Sequence, residues 1–490
     1  MRRAAALAMA LLTTGCLVGP NHQRPPYPVP DEFRAAPAGG QADPSLGDVE
    51  WWTVFRDEAL VALIRTALAE NFDLRIAAAR ILDARSQVVV ARSFLFPTIG
   101  AGIGASYNRF TGSSGQFDPT LSQLNQSFQG TGGLEASYEI DLWGRLRRAT
   151  EAAGAQLLAS EWARRVVVSA LVAEVARAYF ELRGLDDQIE IARQSLASRE
   201  DSLRLVRLRL DGGVATLLDV RQAEILREQA AQTIPVLLRQ IAQVENLISA
   251  LLGRNPGPVP RGQPLEQQLA LPPLPPGLTS ELVERRPDIR QAEEQLVAAN
   301  AQIGIARAQF FPQVALTGSA GVGGNAFNSA LFGPFGFFTI MPAISMPLYT
   351  AGRVQAGVDS AEARTQEAVL RYQQTVLQAF REVADSLIAY ERNREFRLEK
   401  ERLVEVTRDA LRLSEIRYRG GVASYLEVLD SDTRRFDAEL DLVRASFDER
   451  LAMVQLYRAL GGGWRPADLV EPPSPGAAVR PGPTSAGRSP

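Results

Sequence analysis

Residues 208–224 read LRLDGGVATLLDVRQAE, and residues 416–432 read IRYRGGVASYLEVLDSD. Each runs from a helix through a double glycine into a second helix, and the two copies stand 208 positions apart. Glycine accepts the left-handed conformation that closes a helix, so each copy is a tight reversal between two helices. Working outward, the framing elements match as well. The stretch from Gly144 to about Leu210 reads as one helix of roughly 100 Å at 1.5 Å per residue. Val168, Val172, Val175, Tyr179 and Leu182 mark its seam at coiled-coil spacing. At the same offset Gly352 opens a second long helix with the seam Val376, Phe380, Val383, Leu387 and Tyr390. Beyond the first turn, Thr216 to about Leu252 is a shorter helix with a seam of Leu237, Ile241, Val244, Ile248 and Leu251, and Pro235 inside it predicts a kink or a break.

Each long helix is preceded by residues that alternate with period two. Ile99, Ala101, Ile103, Ala105 and Tyr107 face away from Thr98, Gly100, Gly102, Gly104 and Ser106. Leu134, Ala136, Tyr138, Ile140 and Leu142 face away from Glu135, Ser137, Glu139 and Asp141. In the second half Val314, Leu316, Ala320 and Val322 oppose Ala315, Thr317, Ser319 and Gly321, and a fourth strand covers Phe338 to Leu348. One apolar and one polar face suits a wall between lipid and water. A register held over this length is an internal duplication. It gives a first repeat at 51–256 with strands near 96–108 and 128–142, a proline-rich linker at 257–280, and a second repeat at 281–464 with strands near 312–324 and 335–348. The remaining 465–490 is a Pro/Ser/Gly-rich tail of disordered composition.

Composition narrows the function. The 490 residues carry a net charge of only −3, and Lys400 is the sole lysine, so no nucleic-acid surface is indicated. With one histidine, His22, and one cysteine, Cys16, no His/Cys metal site and no Ser–His or Cys–His pair can be assembled, which argues against an enzyme. Cys16 follows MRRAAALAMALLTTG, which has the order of a secretory signal over residues 1–15. Either the thiol is incidental, or it is the acylated first residue of a lipoprotein, with 16–50 as an extended tether; Thr13 is unusual for such a signal. No segment has about 18 consecutive apolar residues, so any membrane crossing falls to the strands. Four strands per chain cannot close, and an open edge cannot sit in lipid. Three chains supply twelve, enough for an aqueous lumen that the long helices would continue as a tunnel.

These residues identify a resemblance. CLVGPNHQRP, VEWWTVFRDEALVALIRTALAENFDLRIAAARI, YEIDLWGRLRRA, RPDIRQAEEQLVAANAQIGIARAQFFP, PLYTAGR, IRYRGGVASYLEVLD and LYRALGGGW together resemble TolC-like outer-membrane efflux channels of the lipoprotein, NodT-type branch. The resemblance implies mixed α and transmembrane β structure: a homotrimer with a twelve-stranded β-barrel continued by a twelve-helix periplasmic α-barrel. It implies a passive duct for drugs or other small toxic compounds, docked on a periplasmic adaptor and an inner-membrane transporter, with neither cofactor nor metal. Leu17 after the lipidated cysteine agrees with outer-membrane sorting.

Carried over by position, the resemblance puts the constriction at Leu426 and Asp430, with Glu427 at a further acidic position. A latch falls on Tyr418 and Arg417, with Asp219 receiving; Ala423 stands where some relatives have a latch arginine. The turns Gly212, Gly213, Val214, Ala215 and Gly420, Gly421, Val422, Ala423 become the periplasmic tip and docking surface. A plainer reading stays open for two of these. SYLE at 424–427 has the form of a capping box, with TLLD at 216–219 its weaker twin, so Glu427 and Asp219 are caps, gate residues or both. Asp430 lies beyond any cap. Two carboxylates about 6 Å apart repel by only about 0.7 kcal/mol in bulk water and by several times that at lower dielectric, so a ring of them must stay hydrated. Trp51 and Trp52 fit helix packing or interfacial anchoring; Phe94, Phe96, Phe310, Phe311 and Tyr349 fit an aromatic girdle or the strand–helix junction. The rival functions are a channel for secreted polypeptides and a lipid-anchored coiled-coil scaffold.

Overall fold

A computed structural model describes residues 17–30, 57–109, 126–265, 279–325 and 329–462. Cys16, Trp51, Trp52 and the tail at 465–490 lie outside the described residues. The elements in chain order are α1 (Glu58–Glu70), α2 (Phe72–Ser93), β1 (Thr98–Arg109), β2 (Gln126–Ile140), α3 (Arg145–Asp211) and α4 (Leu217–Leu251). There follow α5 (Thr279–Arg285), α6 (Pro287–Ala308), β3 (Gln313–Gly324), α7 (Ser329–Phe332), β4 (Phe335–Ser345), α8 (Arg353–Arg419) and α9 (Tyr425–Ala459). Apart from the short α5 and α7, the second half repeats the first. The two long helices have 67 residues each, and the helices after the turns 35 each.

Packing divides the chain across both repeats. One unit takes residues up to Tyr27, Arg80–Glu161 and Arg290–Thr375; the other takes Pro28–Ala79, Trp162–Ile289 and the chain from Val376. The first unit holds a four-stranded antiparallel sheet in the order β1-β2-β3-β4. Its register lines up side chains of one kind across all four strands. Gly100 stands opposite Glu135, Glu135 opposite Ser319, and Ser319 opposite Thr339. One residue along, on the other face, Ala101, Leu134, Ala320 and Phe338 form the matching row. A one-residue slip would exchange the faces of a strand, so the alternation itself specifies this pairing.

Three of the strand ends that differ from the sequence expectation have local reasons. β1 starts at Thr98, because Pro97 has no N–H to donate. β2 stops at Ile140, because the Asp141 carboxylate turns back to accept from the Leu146 and Arg147 N–H groups at 3.1 and 3.0 Å, capping α3. β4 stops at Ser345, before the restricted residue that precedes Pro347. Pro235 does not divide α4, which runs unbroken from Leu217 to Leu251.

The same unit holds the N-terminal segment. Arg148, almost fully buried, donates to the carbonyls of Val18 and Gly19 and to Asn21 Oδ1, and pairs with Glu151. Val18 N–H donates to the Trp143 carbonyl at 3.1 Å, Asn300 donates to the Pro20 carbonyl, and Arg24 reaches Tyr372 and Glu293. Leu17 thereby rests against Gly144, at the corner between β2 and α3.

The second unit is a helical bundle. The α3 seam is buried at Val172, Val175, Tyr179 and Leu182, and the α8 seam at Val376, Val383, Leu387 and Tyr390; Val168 and Phe380 are half-buried. Buried Asp57 caps α1 and accepts from Tyr179 Oη at 2.6 Å, while Gly262 N–H donates to that hydroxyl, pinning the linker. Burial first, then the Asp57 carboxylate, pushes the Tyr179 phenol well above its ordinary range. The duplication shows again where short helices meet end to end. Asn71, before α2, donates to the Leu251 carbonyl at 2.9 Å; Arg286, before α6, donates to the Ala459 carbonyl at 3.0 Å. Those two carbonyls are 208 positions apart, so different side chains satisfy the same orphan group at a helix C-terminus.

Candidate functional site

Both double-glycine turns close with one hydrogen-bond pattern. Gly213 N–H donates to the Leu210 carbonyl and Val214 N–H to that of Arg209, at 2.9 Å each. Gly421 donates to Tyr418 and Val422 to Arg417, at 3.0 and 3.1 Å. This is the Schellman arrangement, and it needs a left-handed residue at its centre. Gly213 and Gly421 have φ of 73° and 75°. Open space surrounds both, so the backbone angle and not crowding demands glycine there. Gly212 and Gly420 close the last turns onto Leu208 and Ile416.

The turns stand on a shared apolar cluster. Leu203, Val206, Val220, Ala223, Tyr418, Tyr425 and Val428 are buried together, joining α3, α4, α8 and α9. A buried ion pair lies one layer deeper. Arg199 on α3 donates to Asp432 on α9 at 2.6 Å, the two side chains 3% and 8% exposed. Arg199 also donates to the Leu226 carbonyl and lies 4.9 Å from the Phe436 ring centre. Asp432 takes a second bond from Arg435 at 3.0 Å.

Beyond this base the copies diverge. In the first, Thr216 Oγ1 accepts from Asp219 N–H at 3.2 Å, and the Asp219 carboxylate accepts from Thr216 N–H at 2.7 Å, a complete capping box. In the second, Ser424 has cap geometry but no side-chain cap bond. The Glu427 carboxylate accepts instead from Arg417 Nε at 3.3 Å. This reverses the expectation that SYLE is the stronger box. The shorter Asp side chain folds back onto its own cap residue, while the extra methylene of Glu carries its carboxylate across to a guanidinium.

The arginines explain the rest. Arg209 and Arg417 are repeat mates, yet Arg209 crosses to the other turn: its guanidinium lies 4.5 Å from the Tyr418 ring centre and donates to the Tyr418 carbonyl at 3.3 Å. Tyr418 stacks edge-on against Tyr425 at 5.3 Å. The first copy has Leu210 and Leu217 at these positions, and Leu217 is 59% exposed where Tyr425 is 3%. Burial pushes the Tyr425 phenol up to about 12, with Asp432 adding to the rise. Tyr418 also rises, by burial first; Arg209 opposes and Asp219 reinforces.

Arg417 and Glu427 are therefore brought together, as are Tyr418 and Arg209. Asp219 makes no hydrogen bond to Tyr418, whose hydroxyl is buried without a partner among the described residues. Leu426, Glu427 and Asp430 are exposed on α9, as are Val214 and Val422 at the turns; Ala215 and Ala423 are half-buried. Asp430 pairs with Arg434 one turn on, at 2.9 Å. Sequence reasoning missed Arg434, Arg209 and the Arg199–Asp432 pair. The four-residue spacing of Asp430 and Arg434 could have revealed the first. The others span elements far apart in the chain and left no local signal.

A family model described as outer membrane efflux protein matches residues 63–254 and 278–462. The chain is 36% identical over 477 residues to the toluene efflux pump outer membrane protein TtgF of Pseudomonas putida, covering 94% of this chain and 96% of that one. It is 37% identical over 461 residues to the outer membrane protein OprJ of Pseudomonas aeruginosa, covering 94% and 95%. The open-state crystal structure of the MtrE outer membrane channel of Neisseria gonorrhoeae superimposes with a TM-score of 0.82 at 34% identity, covering 91% of this chain and 98% of that one.

Proposed function

The chain belongs to the outer membrane efflux protein family, and from that premise we propose how it works: as a homotrimer whose twelve strands close one barrel and whose twelve long and stacked helices continue the duct into the periplasm. The protein is an outer-membrane efflux channel; the assembly, the gate and the cargo are what is proposed. The observation that carries the assembly is the four-stranded sheet. Its outer strands β1 and β4 each pair on one side only, and its apolar face exposes Ile99, Ile103, Leu134, Phe338, Ile340 and Ile344. A lipid-facing sheet with free edges is untenable unless further copies pair with them. An exposed stripe on α8, Phe396, Leu403, Val406 and Leu413 at seven- and three-residue steps, offers a coiled-coil seam to a neighbouring copy.

The duct is passive and carries drugs or other small toxic compounds; a periplasmic adaptor and an inner-membrane transporter supply the drive. The adaptor docks on the two turns. The second copy, with Leu426, Glu427 and Asp430, faces inward as the constriction; the first, with its closed capping box and exposed Leu217 and Leu218, faces outward. Tyr418 and Arg417 latch the inner pair to a neighbouring subunit, and the Tyr418 hydroxyl, buried without a partner among the described residues, supports that reading. Lipidation of Cys16 would add acyl chains to the residue that precedes Leu17, and Leu17 rests against Gly144 at the β2–α3 corner. Purified protein should have the mass of three copies in native mass spectrometry and conduct ions in a planar bilayer. A monomer that does not conduct would contradict the assembly and leave a lipid-anchored scaffold as the alternative.

A further inference from the structure

The polar face of the sheet carries a charge that the gate at the turns does not use. Two of its residues are acidic, Glu135 and Glu139, both on β2. Glu139 lies near the helical end and is neutralised by Arg145, which donates to both its carboxylate oxygens at 3.0 and 2.6 Å. Glu135 is exposed, with no ion pair among the described residues. Its surroundings are mainly small or hydroxylated, with Thr98, Ser137, Thr317, Ser319 and Thr339 around it, Gly100 directly opposite and the apolar Met341 also in the lining. These groups line a concavity, so the sheet curves around the face that bears Glu135. Curvature toward the polar side is what a barrel with a wet interior requires.

Resting on the trimeric channel proposed above, we infer that Glu135 is a selectivity residue of the barrel lumen, a second acidic station that favours cationic solutes independently of the gate. Twelve strands about 4.8 Å apart and tilted about 40° enclose a cylinder of roughly 12 Å backbone radius. A glutamate reaching roughly 5 Å inward leaves three carboxylates about 7 Å from the axis, inside the ~10 Å Debye length at 0.1 M salt and far inside the ~30 Å length at 0.01 M. Three unpaired charges at that range enrich cations and deplete anions across the whole bore. The hydroxyls around them keep the ring hydrated, so cations pass without being held. No base lies within the described part of this face to cancel the field.

The test is the reversal potential of purified trimers in planar bilayers under a KCl gradient, with Asp430→Ala and Glu427→Gln present in every protein so that neither acidic position proposed for the constriction contributes. With intact Glu135 the channel should prefer K⁺ over Cl⁻, more strongly as the salt is lowered from 0.1 M to 0.01 M. Glu135→Gln should reduce the permeability ratio by about two- to fivefold at 0.01 M, with the salt dependence flattened, and Glu135→Arg should turn the preference toward Cl⁻. A wild-type ratio in both variants would overturn the inference while leaving the channel intact. Absence of conductance in every protein would overturn the channel reading on which it rests.

Discussion

The two double-glycine turns are the same in backbone and different in side-chain commitments. Both close through the same pair of hydrogen bonds around a glycine at positive φ. The first then satisfies its polar groups within itself, Thr216 with Asp219. The second leaves its cap residue without a side-chain bond, engages Glu427 with Arg417, and leaves Leu426 and Asp430 exposed. Duplication supplied two equal reversals; divergence at Leu210/Tyr418, Leu217/Tyr425 and Asp219/Glu427 made one a closed fastening and the other a surface with groups to spare. A structural turn needs the first behaviour, and a movable constriction the second.

The largest effect should come from what the copies share. Gly213→Val and Gly421→Val each force a β-branched residue into the left-handed region, at about 1–2 kcal/mol or more. Each should abolish export in a drug-susceptibility assay while the trimer still assembles. Export that survives both changes would show that these turns do not form the working end. Next in size is the pair beneath them. Asp432 and Glu224 are repeat mates, but Asp432 is buried against Arg199 while Glu224 is only half-buried between Arg207 and Arg221. Asp432→Ala strands a buried guanidinium and should destabilise the helical unit by about 3–5 kcal/mol in denaturant unfolding. Glu224→Ala should leave the midpoint where it is. Equal losses would mean that the asymmetry of the pair has no energetic content. The smallest contrast lies in the caps. Thr216→Ala should cost about 1 kcal/mol, seen as faster amide exchange in the first turn of α4, whereas Ser424→Ala should not change exchange in the first turn of α9.

What could be read from the chain follows from which contacts are local. Period-two alternation gave the strands and their faces, because side-chain direction in a strand depends only on position. The long helices and their stops followed from heptad spacing and glycine. The cap assignment at 216 and 424 came out reversed, since Glu427 pairs with Arg417 and not with its own cap residue, a choice between two partners that the spacing leaves open. Pro235 also failed to divide its helix, which runs unbroken from Leu217 to Leu251. Arg148 gathers the carbonyls of a segment about 130 residues away, a role that no spacing rule exposes.

Conductance of purified trimers in planar bilayers, wild type against Asp430→Ala, tests the assignment of the constriction to the second turn most directly. Removing Asp430 also frees Arg434, breaking the pair on the face that bears Leu426. A low wild-type conductance that rises several-fold in Asp430→Ala, with no change in Asp219→Ala, is the expected result. Equal conductance in wild type and Asp430→Ala, or a rise only in Asp219→Ala, would contradict it.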